Sequence, residues 1–460
     1  MFTLPGLILL VLVDTLKPQE FIPLLAGVPL LYLLTALTLV GFAVDARLGF
    51  IRLSPAPQLA LASLLVAWCV LTMVPRGAQV IGSQALSLVI PFSLFLLIAH
   101  GVQSFRALEA LLAVVLALGL FLAAVGVHQA FSPWGCHEVR YSEGSSEWVP
   151  DGRACSGEDR NACMRGEADP GSDYVCEHVG LFGTQSVQGR VRFRGTIKDP
   201  NELALAVAVI VPLAFGFFER RRSGWRGALL ATTLLVTGTC VVYTQSRTGQ
   251  VVFLMVLGIY FVRRVGWRGL LVGPAAALPI LLLGGRETQE AGASTLERLE
   301  CWSAALQMLR QSPLLGVGYG QFTEHHYLTA HNSYLLTAAE LGLPGMVLWT
   351  AILWLSIKIP ATVLRRADAG GVDASPATRT WALALLASLA AMAGGMALLS
   401  YAYKELLWIY LGLAAALFQA VRRHVPDFKV RFGLGDLIGV VAVDLALCFG
   451  LWLFTRGKLG

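Results

Sequence analysis

A chain of 460 residues that is 56% hydrophobic and only 14% charged is not an ordinary soluble domain and reads as a polytopic membrane protein. Its net charge of +6 comes from short basic clusters beside apolar runs. No basic-aromatic pattern of a nucleic-acid surface occurs, so nucleic acid is excluded as a partner and membrane lipids are expected ones.

A span needs about 20 mostly apolar residues. Stretches of that kind fall near 1–14, 22–44, 57–75, 83–100, 106–130, 199–218, 226–243, 248–263, 269–284, 332–357, 379–400, 404–421 and 435–456. The first is short and the last could be peripheral, which predicts an all-α fold of 12 or 13 transmembrane helices. The first thirteen residues lack a basic leader and a small-residue cleavage site, so a span rather than a cleaved signal peptide is expected. Two long polar segments interrupt the series. The organisation is therefore N-terminal helices at 1–130, a cysteine-containing loop at 131–198 and central helices at 199–284. A second loop with an amphipathic helix follows at 285–330, then C-terminal helices at 331–460.

Charge sets the orientation. Eighteen basic residues, from Arg47 and Arg52 through Arg220–Arg222, Arg263, Arg264, Lys358, Arg422 and Arg423 to Lys429 and Arg431, flank one set of span ends. The other set carries six: Lys17, Arg76, Arg247, Lys404, Arg456 and Lys458. The positive-inside rule puts the first set in the cytoplasm, so both long loops face outward and the N-terminus lies inside. Cys136, Cys155, Cys163 and Cys176 all fall in the first loop, where an oxidising compartment favours two disulfides in one of three pairings. A metal site using His137 and His178 is the alternative, without C-x-x-C spacing to support it.

On the predicted outer face, "VRFRGTIKDPNELALAVAV" leads into the span at 199. Asp199 is suited to an N-cap and Pro200 to the first helical turn. Arg192 and Arg194 lie where the inside rule disfavours them and are candidate anion ligands. "TQSRTGQ" (244–250) is a short turn between spans. Its Arg247 either snorkels or clamps a phosphate. In "STLERLECWSAALQMLRQSPLLG", Ser294 and Glu297 form a capping box. Leu296, Leu299, Trp302, Leu306 and Leu309 make an apolar stripe of a helix lying along the membrane surface, with Arg298 beside it. The glycines of "GVGYGQF" (316–322) have no preceding strand and serve as turns rather than a phosphate loop.

"EHHYLTAHNSYL" then places His325, His326 and His331 within seven residues. The spacing matches no familiar metal pattern, and a neutral histidine at a span's mouth is placed to act as a base. The bland reading is that His331 and Asn332 cap the next helix. Glu340 falls on the opposite face of a straight helix, and neither it nor Asp444 is expected to partner His331.

His331, Asn332, Gly342 and Gly345 fit H-[NSQ]-x9-G-x-x-G, and the chain thereby resembles the bacterial O-antigen ligase and polymerase family. "DPN", "SR", "ERLECW" and "GVGYGQF" precede this motif in the order the family shows. The resemblance implies a GT-C-type glycosyltransferase of the bacterial inner membrane, working at the periplasmic face. Its donor would be an undecaprenyl-diphosphate-linked glycan, and its acceptor lipid A-core or a growing polysaccharide. It implies His331 as the group activating the acceptor hydroxyl, and Arg247 and Arg298 as the diphosphate ligands. Arg192, Arg194, Asn201, Asn332 and His326 complete the expected substrate contacts. Neither metal nor cofactor is expected, and inversion follows from a single displacement with no nucleophilic carboxylate. The same motifs serve a polymerase that joins repeat units on the carrier. Less favoured readings are transfer to a protein hydroxyl and a polysaccharide transporter, whose polar groups would sit at the midplane.

Overall fold

The computed structural model describes residues 2–142, 145–154, 173–269, 271, 278, 288–370 and 376–459. The helices are α1 (Thr3–Leu16), α2 (Leu30–Arg47), α3 (Leu59–Met73), α4 (Ala78–Gly101) and α5 (Phe105–Ala130). After the first long loop come α6 (Pro200–Ala208), α7 (Val211–Arg220), α8 (Gly224–Tyr243) and α9 (Arg247–Val265). The rest are α10 (Thr288–Gln311), α11 (Ser333–Asp368), α12 (Pro376–Gly395), α13 (Glu405–His424) and α14 (Leu434–Leu459). Eleven segments among the described residues are long and apolar enough to cross a membrane, α6 and α7 counting as one. This is the all-α polytopic class expected. The span expected at 269–284 lies almost wholly outside the described residues.

Three expected elements differ in detail. The second span begins at Leu30 rather than at 22, because Pro23 opens a 3₁₀ turn and Pro29 sits at the helix entrance; proline cannot supply the N–H a helix interior needs. The span at 199–218 breaks after Ala208 and resumes at Val211, with Pro212 in the first turn of the second piece. Helix α10 starts at Thr288, so Ser294 lies within it and is not the N-cap of a capping box.

Packing divides the helices. The α6–α7 pair, α12 and α13 are mostly surrounded by protein, whereas α2 and α14 are mostly exposed. Leu33, Leu37 and Val40 on α2, and Ile438, Leu445 and Phe449 on α14, face outward, as lipid-facing side chains do. Polar ties join the helix ends. At one end Asp45 of α2 accepts bonds from the N–H groups of Phe2 and Thr3 (both 2.8 Å), capping α1. At that same end Glu109 of α5 accepts from Arg220 Nε (2.8 Å) and Trp381 Nε1 (2.9 Å). This end gathers the larger basic set.

The opposite end carries both long polar segments. The first holds the one sheet of the described residues. Strands β1 (Trp134–Ser142), β2 (Ser145–Ala154) and β3 (Asp173–His178) pair antiparallel in the order β2-β1-β3. Cys136 on β1 faces Cys176 on β3 and is bonded to it; Cys155 and Cys163 lie outside the described residues. His137 Nε2 is 2.9 Å from Gln185 Nε2, while His178 stacks on Trp134 at 3.7 Å. The disulfide closes a loop of sequence separation 40, and closure of that length is worth about 3–4 kcal/mol in the chain-entropy account. Cys136→Ser is therefore expected to make the 131–198 segment protease-sensitive while the bundle keeps its melting transition, as limited proteolysis followed by thermal unfolding will read.

Candidate functional site

Helix α11 fixes the position of His331. Asn332 is its N-cap, and Asn332 Oδ1 accepts from the N–H groups of Tyr334 and Leu335, each at 3.0 Å. Ten residues on from Asn332, Gly342 at φ +69° breaks the helix, and Pro344 follows. Proline at 344 removes the N–H that would have bonded the Glu340 carbonyl. The freed carbonyls are taken up elsewhere: Ala339 O accepts from Val317 N (2.8 Å), Glu340 O from Gly318 N (2.9 Å) and Leu341 O from Trp68 Nε1 (2.9 Å). Broken backbone at membrane depth survives only when re-satisfied in this way. The glycine-rich 316–322 segment is thus the plug for the α11 break. Gly316 has φ +64°, and a Cβ there would collide with the Glu340 carbonyl carbon. The Glu340 carboxylate accepts from Phe322 N at 3.1 Å. It serves this loop rather than His331.

Between Phe322 and α11 the chain passes His331, whose φ of +49° is left-handed. A side chain there costs roughly 1–3 kcal/mol and persists only where its surroundings force it. Here they do. Thr329 Oγ1 bonds Ser400 Oγ (2.8 Å), Ser333 Oγ donates to Leu399 O (2.6 Å), and Tyr401 N donates back to Ser333 Oγ (2.8 Å). The turn is clamped on both sides of the histidine. Burial pushes the His331 pKa below its ordinary 6.5 and Arg298 lowers it further, with Asp199 and Glu297 opposing. The ring is accordingly neutral at pH 7.

Those charges show which predicted residues come together. Arg298 on α10 and Asp199 at the start of α6 both act on His331. Asp199 also acts on Arg192, whose pKa burial lowers against Glu177 and Asp199. Arg192 is anchored through Nε to Gln185 O (2.9 Å). The "DPN" and "SR" motifs are joined directly: Ser246 Oγ donates to Asn201 Oδ1 at 2.6 Å, and Asp199 Oδ1 caps α6 through Asn201 N at 2.6 Å. Ser246 in turn caps α9 through Gly249 N (3.0 Å), which sets Arg247 as the exposed first residue of α9. The starts of α6 and α9 are thus bonded to each other, and Asp199 at the first of them is within electrostatic reach of His331, which itself precedes the capped start of α11.

Some expected residues fall elsewhere or play another part. Arg194 is drawn to the 3₁₀ turn after α1, donating from Nη1 to Glu20 O (2.8 Å) and lying over Phe21 at 5.8 Å. Asn332 is 1% exposed and its oxygen is occupied by the cap. Asn201 is buried, with its oxygen taken by Ser246 and by Arg190 Nη2 (3.3 Å). Both asparagines hold the site's frame and do not present their oxygens to a ligand. His326 sits beside α10, its Nδ1 4.0 Å from Cys301 Sγ, stacked on Tyr327. On α10 the inward face is Leu299, Cys301, Trp302, Ala305 and Met308, packed against α11 and α14. Leu296, expected in that stripe, is instead exposed at 55%.

Sequence reasoning passed over Arg190, which is buried and donates from Nε to Thr244 O at 2.9 Å. It also missed the ion pair of Lys404 with Glu202 at 3.0 Å. An arginine just ahead of the Arg192–Arg194 pair was the available signal. Because Asn201 is buried and holds two donors, Asn201→Ala removes the acceptor that Arg190 Nη2 and Ser246 Oγ share. We expect a loss of about 1–3 kcal/mol in thermal stability, with Ser246→Ala losing less, about 1 kcal/mol for the cap.

The fold and these residues define a multi-pass, predominantly helical membrane protein with His331, Arg192, Arg247 and Arg298 at the end opposite the larger basic set. Residues 231–350 match the family model described as O-Antigen ligase, a stretch running from α8 through α10 and the glycine loop into α11. The match supports the resemblance to the O-antigen ligase and polymerase family, and with it a ligase- or polymerase-type function on lipid-linked glycan and polysaccharide substrates in general. No curated protein matches the sequence.

Proposed function

We propose that the protein transfers a glycan from undecaprenyl diphosphate to an acceptor hydroxyl at the periplasmic face of the bacterial inner membrane. The single observation carrying this reading is His331: a clamped, left-handed, neutral histidine at the capped start of α11, within electrostatic reach of Arg298 and Asp199. In the proposed reaction a ring nitrogen of His331 takes the acceptor proton as the hydroxyl oxygen attacks the anomeric carbon. The bond from that carbon to the diphosphate oxygen breaks, and the configuration inverts. The diphosphate leaves on the lipid without protonation, its charge held by Arg247 and Arg298. Arg192 stands in the same field and is assigned to the donor. His326 is assigned to the acceptor side, next to α10.

The test is a gel of surface glycan and carrier-linked glycan from a deletion strain complemented with wild type or His331→Ala. A ligase predicts long chains accumulating on the carrier in the histidine variant. Accumulation of single repeat units instead makes the protein a polymerase. Full complementation by His331→Ala would overturn the catalytic assignment and leave the motif as a helix cap.

A further inference from the structure

At the end of the bundle opposite His331, a cavity of about 580 Å³ opens between the α2–α3 connection, the α4–α5 connection and the C-terminal turn of α13. Three arginines line it: Arg52, Arg422 and Arg423. The positive-inside rule accounts for arginines at this end. It does not account for how these are held. Gln103 grips the backbone of Arg52 twice, accepting from its N–H at 3.2 Å and donating to its carbonyl at 2.6 Å. Gln419 Nε2 donates to Ser54 O at 2.6 Å, and Arg422 Nη1 donates to Ser54 Oγ at 2.8 Å, with its guanidinium over Phe418. Two glutamines, one on the α4–α5 connection and one on α13, thus pin the α2–α3 connection so that its arginine lines the same cavity as two more.

The neighbouring basic cluster shows what an ordinary arrangement at this end is. There Arg264 pairs with Glu219 at 2.9 Å and Arg379 with Asp368 at 3.1 Å. The cavity formed by Arg52, Arg422 and Arg423 has no carboxylate in its lining, and among the described residues none is within ion-pair distance of the three. Guanidinium donors converging without a protein counter-ion match the oxygens of a phosphoryl group. Phe50, exposed at 55%, lines the same cavity, and Leu48 and Leu53 are exposed nearby, which offers apolar surface next to the charge.

We propose that this cavity binds a phosphoryl group, with the headgroup of an anionic membrane lipid as the favoured source and a soluble phosphate species as the other. The proposal stands apart from the transfer reaction, since no residue of it touches the His331 end. An anionic lipid there would bridge α2, α3 and α13 at the membrane boundary, where basic pockets between spans take such headgroups.

The experiment is native mass spectrometry of the full-length protein in detergent, offered equal dioleoylphosphatidylglycerol and dioleoylphosphatidylcholine. A parallel arm measures equilibrium dialysis against labelled inorganic pyrophosphate. Wild type is expected to retain phosphatidylglycerol preferentially, and Arg52→Gln/Arg422→Gln/Arg423→Gln to lose at least about tenfold of that retention. Removing equal charge from the paired cluster, Arg222→Gln/Arg264→Gln/Arg379→Gln, should leave it unchanged. Arg52→Gln alone, exposed on the connection, keeps the melting temperature and still weakens retention, which separates binding from misfolding. Pyrophosphate binding that the triple variant loses, without a lipid preference in wild type, supports the site with a soluble source. Wild-type behaviour of the triple variant in both arms, or binding of neither probe by wild type, overturns the proposal.

Discussion

His331→Ala is expected to lower glycan transfer by about 10²–10⁴-fold, the range a positioned general base contributes, with little change in folding. The residue makes no cap: Asn332 does that, so Asn332→Ala should instead cost about 1 kcal/mol of stability. A pH profile separates base from bystander. The active form is the deprotonated ring, and burial with Arg298 holds its pKa below 6.5. Transfer should therefore be level above pH 7 and fall only on the acid side of 6.5, as pH drops through the lowered pKa. Arg298→Gln removes one of the two depressing causes, so the acid limb of kcat/KM should move up in pH, toward 6.5. A limb that stays in place with Arg298→Gln, or a His331→Ala enzyme with the wild-type rate, rules out this account of the site.

Gly342→Ala is expected to produce the largest loss of folded protein among the single substitutions considered. Its φ of +69° with ψ of −176° is a conformation essentially restricted to glycine. The added Cβ would overlap Leu314 O and sit 2.7 Å from Pro313 O. Relief of that clash must displace the bond from Leu343 N to Pro313 O (2.8 Å) and, with it, the glycine loop seated on Ala339 and Glu340. About 3 kcal/mol or more is expected. The measurement is the yield and melting temperature in detergent, with Gly258→Ala as control. Gly258 lies in α9, and a methyl group added there would meet nothing within 4 Å. Equal melting of the two variants would show that the break at Gly342 is not held as described.

The two substitutions clarify why the histidine-to-glycine spacing reads as a unit. The first piece of α11 runs from the Asn332 cap to Gly342, a rod about 13 Å long. Its far end receives the 316–322 plug, and its near end presents His331. Altering the spacing would rotate the histidine about 100° per residue relative to the plug. On the proposed reading, Asn332 and Gly342 are positioning residues, and the chemistry rests on His331 with Arg298 acting on it.

Much of this was written in local chemistry. Apolar runs interrupted by basic clusters determined the spans and the sorting of their ends, because a backbone in hydrocarbon must satisfy its own hydrogen bonds. Asp199 before Pro200 and Asn332 before an apolar run announced helix starts, since capping depends on neighbours only two or three residues away. Local chemistry also misled: Ser294 and Glu297 have the spacing of a capping box, yet α10 runs through them from Thr288. The tertiary structure alone decided which polar groups are consumed by the frame. The oxygens of Asn201 and Asn332 look available in sequence and are consumed by Ser246, Arg190 and the α11 cap. Arg194 is diverted to Glu20, 174 residues away in the chain. Pairings across such separations leave no periodicity to read, because they depend on which helix ends the packed bundle brings together.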